Sequence, residues 1–219
     1  WNDSTEEIDE TNNIDQIIID IDLLPLSSSN YNSTHPCIYV DTNNYYHIVW
    51  ISEKNGSYHI SYKRNENGIW GEEFNVTGPF YTGRIIQNIS FAGDENHLAI
   101  AWEEQTHNPF SSDVIVADSL NGGISWNPPR KITPSGSDHQ KPSVEVNNGR
   151  LFLAYETAGA GIYLAIENSM VVTYYHFLDL GQPYFGVASV SADGWDLYVV
   201  IAGHVSTSTD HIYRFYSTD

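Results

Sequence analysis

Apolar and polar positions alternate along most of the chain, and turn residues interrupt the alternation about every ten positions. The clearest runs are YYHIVW (Tyr45 to Trp50), HLAIAW (His97 to Trp102), RLFLAY (Arg150 to Tyr155) and DLYVVI (Asp196 to Ile201). Alternation of this kind in β-branched and aromatic residues predicts strands. Each run follows a shorter one across a turn: CIYVDTNN, NISFAGDEN, SVEVNNG and ASVSADG. The Asn, Asp and Gly of those turns tolerate positive φ or bond their own backbone, so tight hairpins are predicted. A third run comes next in every case: YHISYKR (Tyr58 to Arg64), DVIVADS (Asp113 to Ser119), IYLAIEN (Ile162 to Asn168) and HIYRFYS (His211 to Ser217). Short fourth runs appear at EFNVT, RKIT and VVTYYHF, and the last copy has none.

One phrase therefore recurs at a period of roughly fifty residues, over about 35–80, 84–134, 140–180 and 184–219. Antiparallel strands repeated this way predict an all-β chain, a β-propeller with four recognisable four-stranded blade repeats filling 34–219. A sandwich would also show many short strands, but gives no reason for the same phrase in register. Residues 1–33 are an acidic segment holding one strong strand, DQIIIDIDLLPL (Asp15 to Leu26). That strand has two candidate places. It could supply the missing fourth strand of the last repeat and close the ring, or fill the same gap in a neighbouring molecule, giving a homo-oligomer by strand donation.

Charge narrows the partners. A net charge of −19 with only nine Lys and Arg argues against nucleic acid, since phosphate binding needs cations. It also disfavours anionic membranes, and no apolar run is long enough to insert as a helix. Cys37 is alone, so no disulfide forms within the chain, and a small buried apolar side chain is its expected role. The nine His show no metal-ligand spacing, and the acidic N-terminus lacks a calcium-loop pattern, so no metal or cofactor is expected. His47 and His59, on adjacent strands, are a candidate cross-strand pair, against a default of satisfied surface histidines. Five Asn-x-Ser/Thr sites, at Asn2, Asn32, Asn55, Asn75 and Asn88, fall on predicted turns or strand ends. They point to an extracellular or cell-surface glycoprotein.

The turn after the third strand of the second copy reads SLNGGISW. With Ser119, Asn121, Gly123 and Trp126 it resembles the Asp-box, the Ser/Thr-x-Asp-x-Gly-x-x-Trp hairpin of sialidases and other BNR-repeat propellers, with Asn in place of Asp. The first copy, RNENGIW, is one residue shorter and keeps Glu66, Gly68 and Trp70; the third has lost the box. At the C-terminus Ser217 and Asp219 match Ser119 and Asn121, while Trp1 and Asn2 match Trp126 and Asn127. The chain thus reads as running from the tail of one box to the head of another, as a piece of a longer protein or tandem array would. The resemblance spans about Ser33 to the C-terminus and implies a sialidase-like propeller. In that family the box is structural, lies on the rim away from the central channel and does not itself mark catalysis.

Sialidase chemistry, as the resemblance implies it, needs three arginines gripping a carboxylate and a Tyr-Glu nucleophile pair. Of the five arginines, Arg64 and Arg130 fall near the box turns, Arg150 and Arg214 lie on strands, and only Arg84 is placed for a channel mouth. No catalytic residue is assigned on this basis. Other glycosidases need two carboxylates across a sugar, and Glu103, Glu104 and Glu156, after the second strands, are the candidate ligand-binding carboxylates, with Asp41 after the first strand. In a chain with 28 Asp and Glu, such placements also arise without function. Trp50, Trp102 and Tyr155 recur at one repeat position, as packing between blades requires, though sugar stacking is the tempting alternative. The expected role is recognition or assembly, with a glycan or protein ligand. The rivals are a glycoside hydrolase on the same scaffold and a structural subunit of a filament or surface layer.

Overall fold

The computed structural model describes residues 25–78, 81–82, 84–107, 110–134, 137–168, 171–176, 185–193, 196–203 and 211–217. Asn2, Asp219 and all but the last two residues of the Asp15 to Leu26 strand lie outside this set. Within it the regular structure is strand only, in four antiparallel sheets that follow chain order. The first holds β1 (Asn32–Val40), β2 (Tyr46–Lys54) and β3 (Ser57–Glu66), with three short strands on β3: β4 (Ile69–Trp70), β5 (Phe74–Asn75) and β6 (Tyr81–Thr82). The second runs β7 (Arg84–Asp94), β8 (His97–His107), β9 (Phe110–Ser119) and β10 (Arg130–Lys131). The third runs β11 (His139–Asn147), β12 (Arg150–Thr157), β13 (Gly161–Asn168) and β14 (Val171–His176). The fourth has β15 (Phe185–Asp193), β16 (Asp196–Gly203) and β17 (His211–Ser217).

Local chemistry explains the hairpins. Asn55-Gly56 and Asn148-Gly149 take positive φ at both turn positions, the geometry that matches strand twist in a two-residue loop. The single fourth strand expected at EFNVT is instead divided into β4, β5 and β6. Asn75 Oδ1 accepts from both the Thr77 amide (3.1 Å) and the Thr77 hydroxyl (3.0 Å), and this local turn ends β5 after two residues.

Successive sheets stack through apolar seams. Val49, Ile51, Ile60 and Tyr62 of the first sheet meet Leu98, Ile100, Trp102 and Ile115 of the second. Ala99, Ala101, Val114 and Val116 of the second meet Val144, Leu151, Leu153 and Tyr155 of the third. Phe152, Ala154, Ile162 and Leu164 of the third meet Ala188, Val190, Leu197 and Val199 of the fourth. Complete burial of one such side chain, Leu153 for example, contributes about 1.5–3 kcal/mol. Trp50, Trp102 and Tyr155 are all buried, so none offers a surface for sugar stacking. The first and fourth sheets keep exposed apolar residues on their outward faces, and the row of sheets is not closed into a ring.

The first strand of every sheet breaks register once: at Thr34/Cys37, Gln87/Ser90, Gln140/Ser143 and Phe185/Ala188. His35, Asn88 and Lys141 take φ near +50° at three of these breaks. Each is a β-bulge, which inserts a residue and re-aims the strand. The residue just past the bulge ties one sheet to the next. Ser90 Oγ accepts from the Val144 amide (3.0 Å), and Ser143 Oγ from the Val190 amide (3.2 Å). Cys37 holds the equivalent place, half-buried, its thiol 3.8 Å from the Ile89 carbonyl. It packs, partly buried, against the apolar seam of the first and second sheets, as expected of a small apolar side chain, and its thiol is in addition a weak donor between the sheets; burial pushes its pKa up.

The Ser119 to Trp126 turn closes on its own side chains. Ser119 Oγ accepts from the Gly123 amide (2.8 Å), and Asn121 Oδ1 from the Ser125 amide (2.9 Å). Gly123 has φ +80°, and a Cβ there would overlap the Tyr62 hydroxyl of the first sheet. Trp126 lies edge-on to Tyr62, and Arg64 donates to the Gly122 carbonyl at 2.7 Å, so the turn docks on the preceding sheet. The matching stretch in the first sheet is different. Asn67-Gly68 forms a two-residue hairpin, and Asn65 rather than Glu66 accepts the Gly68 amide, at 2.9 Å. Glu66 pairs with Arg64 instead. Being one residue shorter, this turn cannot reach the geometry of the longer one.

Candidate functional site

The first strand of each sheet begins, and the second ends, on the same rim. On that rim the second and third sheets bring together Arg84, Gln87 and Asn88 from β7, Glu103, Glu104 and Gln105 from β8, Lys141 from β11 and Glu156 from β12. All three glutamates are buried. A buried carboxylate persists only where donors replace its water.

Glu103 is the most completely enclosed. Its Oε1 accepts from Gln87 Nε2 (2.8 Å) and Gln105 Nε2 (2.7 Å). Its Oε2 accepts from Asn88 Nδ2 (2.7 Å) and from the Lys141 amide of the next sheet (3.2 Å). The bulges at Asn88 and Lys141 make this arrangement, because each turns its residue out of the regular ladder toward the carboxylate. Lys141 Nζ in turn donates to Glu156 Oε2 at 2.8 Å, and Arg84 pairs with Glu104. The result is a polar network of three amide side chains, two carboxylates and the Lys141 cation at the junction of the second and third sheets, while the Arg84–Glu104 pair stands apart on the face of β7 and β8 that meets the first sheet.

An open cleft of about 330 Å³ lies at the same rim, lined by Ser111, Asp113, Lys131, Ser137 and Asp138. Lys131 and Asp113 are paired across it at 2.5 Å, and Asp138 accepts the Ser112 amide at 3.1 Å. His139 beneath it is satisfied on both ring nitrogens, by the Thr157 hydroxyl (2.9 Å) and the Pro134 carbonyl (3.0 Å). Burial pulls its pKa down, favouring the neutral imidazole.

The other candidates lie elsewhere. Asp41 is on the opposite rim, where its Oδ1 accepts the Asn43 (2.8 Å) and Tyr45 (2.9 Å) amides, and its other oxygen stands 3.4 Å from His47 Nε2. His47 also contacts the Tyr62 hydroxyl at 2.8 Å. His47 and His59 are buried rather than superficial, and they are not partners: the register sets His47 opposite Arg64 and His59 opposite Ser52. Arg130 is also on that opposite rim, joining Asp118 (2.7 Å) to Glu167 of the third sheet (2.5 Å). Arg214 is exposed on β17. Among the glycosylation sites, Asn32 is exposed and bonded to Glu53 (2.8 Å), and Asn55 sits at an exposed hairpin tip. Asn75 and Asn88 are committed to Thr77 and Glu103.

Gln87, Gln105, Lys141 and His139 are site residues that the sequence pattern does not announce. The available signal is a proline inside a strand, as in HPC and QKPS, because proline is confined to strand edges and bulges. Starting the third repeat's first strand at SVEVNNG leaves out that bulge, although β11 begins at His139.

No family model and no curated protein sequence matches the chain. Solved structures do. A protein of unknown function from Dyadobacter fermentans DSM 18053 matches with a TM-score of 0.57 at 14% identity, over 86% of this chain and 66% of that one. Trypanosoma rangeli sialidase in complex with the inhibitor DANA matches at 0.58 and 13% identity, over 89% of this chain and 39% of that one. A GH43 β-1,3-galactosidase matches at 0.54 and 13% identity, over 84% and 43%. The chain thus spans no more than about two-thirds of these structures. At such identities the likeness is one of fold, and it defines the class: an all-β chain of stacked antiparallel sheets, similar to sialidase and GH43 propeller enzymes.

Proposed function

We propose that the chain forms blades of a sialidase-like β-propeller whose Gln87–Glu103–Lys141–Glu156 rim recognises a glycan. The observation that carries the reading is that network: amides and carboxylates from two sheets meet on one rim, the chemistry that hydroxyl-rich ligands exchange hydrogen bonds with. The neighbours' glycan chemistry supports the ligand class. We assign binding ahead of turnover because every carboxylate is engaged, so that ligand contacts fall to the exposed edges of Gln87, Asn88, Gln105 and Lys141 that the carboxylates hold in place. Glu103 has its lone pairs filled by four donors, Glu104 holds Arg84, and Glu156 holds Lys141.

Glycoside hydrolysis is the second reading, and the sialidase and galactosidase neighbours favour it. It requires Glu104 and Glu156 to release their cations when substrate enters. The Ser119 to Trp126 turn serves in either reading as an Asp-box, a docking device on the far rim. An extracellular setting fits Asn32 and Asn55, whose exposure suits them as glycosylation sites. The discriminating experiment pairs a glycan-array screen with an assay of chromogenic glycosides. Binding lost in Lys141→Ala, without hydrolysis, supports recognition. Hydrolysis that Glu156→Gln abolishes and Glu104→Gln also reduces would establish the second reading instead.

A further inference from the structure

Each of the three seams joins the same two surfaces, the trailing face of one sheet and the leading face of the next. The fourth sheet's trailing face is uncovered. Tyr198 and Val200 stand where Phe152 and Ala154 stand in the third sheet, Ile212 where Ile162 stands, and the exposed Arg214 where the buried Leu164 stands. Ile162 has no exposure, whereas Ile212 is 72% exposed and Tyr216 50%. Tyr198 and Tyr216 pair across the strands with ring centroids 4.7 Å apart. The first sheet's leading face is uncovered at one end, beyond the buried Trp50. Ile38, Val40 and Tyr46 hold the places of Val144, Val146 and Leu151; Ile38 is 60% exposed and Val144 only 4%.

We propose that these two faces are the halves of a fourth seam formed between two copies of the chain, the trailing face of one copy packing on the leading face of the other. A second copy is the occupant because every covered seam in the molecule is built from these repeat positions, and a second copy presents the complementary face. The contact is head-to-tail, so each pair retains one free face of each kind and either closes on itself or extends. Exposed apolar surface drives such contacts: Tyr198, Val200, Ile212 and Tyr216 around Arg214 on one face, and Ile38, Val40 and Tyr46 on the other. The net charge of −19 opposes them, so added salt strengthens the association.

The test is sedimentation of the whole chain at micromolar concentrations. Ile38→Glu blocks the leading face and Ile212→Glu the trailing face. The wild type should sediment at twice the monomer mass or more, and each variant as a monomer. An equimolar mixture of the two variants should recover a one-to-one dimer that grows no further, because one intact face of each kind remains. Thermal unfolding by circular dichroism checks that the variants fold, and Val40→Lys and Tyr216→Lys serve if either fails. A monomeric wild type overturns the proposal. So does dimerisation of Ile38→Glu alone, which would set trailing face on trailing face.

Discussion

A carboxylate removed from water, as Glu103 is, becomes a liability unless donors fill its lone pairs, and four donors do so here. Glu103→Gln would turn one acceptor into a donor that faces other donors. It should cost about 2–3 kcal/mol, read as a shift in the denaturant midpoint at unchanged slope. Titration gives a second test at this scale. Burial, the leading influence, holds His47, His59 and His139 below the ordinary histidine value. The unfolded chain therefore binds more protons as pH falls through about 6.5, so stability is full above that pH and declines below it. Asp118 acts lower down. Burial alone would raise its pKa, but hydrogen bonding to His97 and the charge of Arg130 outweigh it and hold the group at about 2. Its contribution is present above the ordinary carboxylate value and is lost as pH falls toward 2. Melting temperatures across pH 2 to 8 should thus fall in two stages, and Asp118→Asn should shrink the lower one, to which Asp41 also contributes.

The bulges are the elements that make the rim, and they were the least legible part of the chain. Alternation gave the long strands because YYHIVW, HLAIAW, RLFLAY and DLYVVI each bury a continuous core stripe in β2, β8, β12 and β16. The turn residues gave the hairpins because Asn-Gly at positive φ has few alternatives. Glu103, Glu104 and Glu156 could be found from their place after those strands. Their partners could not, since Lys141 reaches Glu103 through a backbone amide and a register break, neither of which has a period. Paired substitutions test the bulge. Lys141→Gly suits φ +51° and should leave stability within about 1 kcal/mol of wild type, because relief of strain offsets the lost ion pair. Lys141→Val places a β-branched residue in the same conformation and should cost about 1–3 kcal/mol. Equal costs would mean that the bulge conformation is not what Lys141 contributes.

Across the described residues, four sheets are stacked by equivalent seams, and the two rims differ in chemistry. On one rim Asp41, His47 and Tyr62 form a buried polar chain within the first sheet, and the Ser119 to Trp126 turn docks on that sheet through Gly122, Gly123 and Trp126. On the other, a half-exposed Arg84 and Lys141 stand over buried carboxylates, next to an open cleft. The proposed glycan recognition falls on the second rim. Hydrogen–deuterium exchange, with and without a glycan selected on an array, tests that assignment most directly. The account predicts slowed exchange on ligand addition at Arg84 to Asn88, Glu103 to Gln105 and His139 to Lys141. Protection confined to Asp41 to Tyr45 and Ser119 to Trp126 would contradict it.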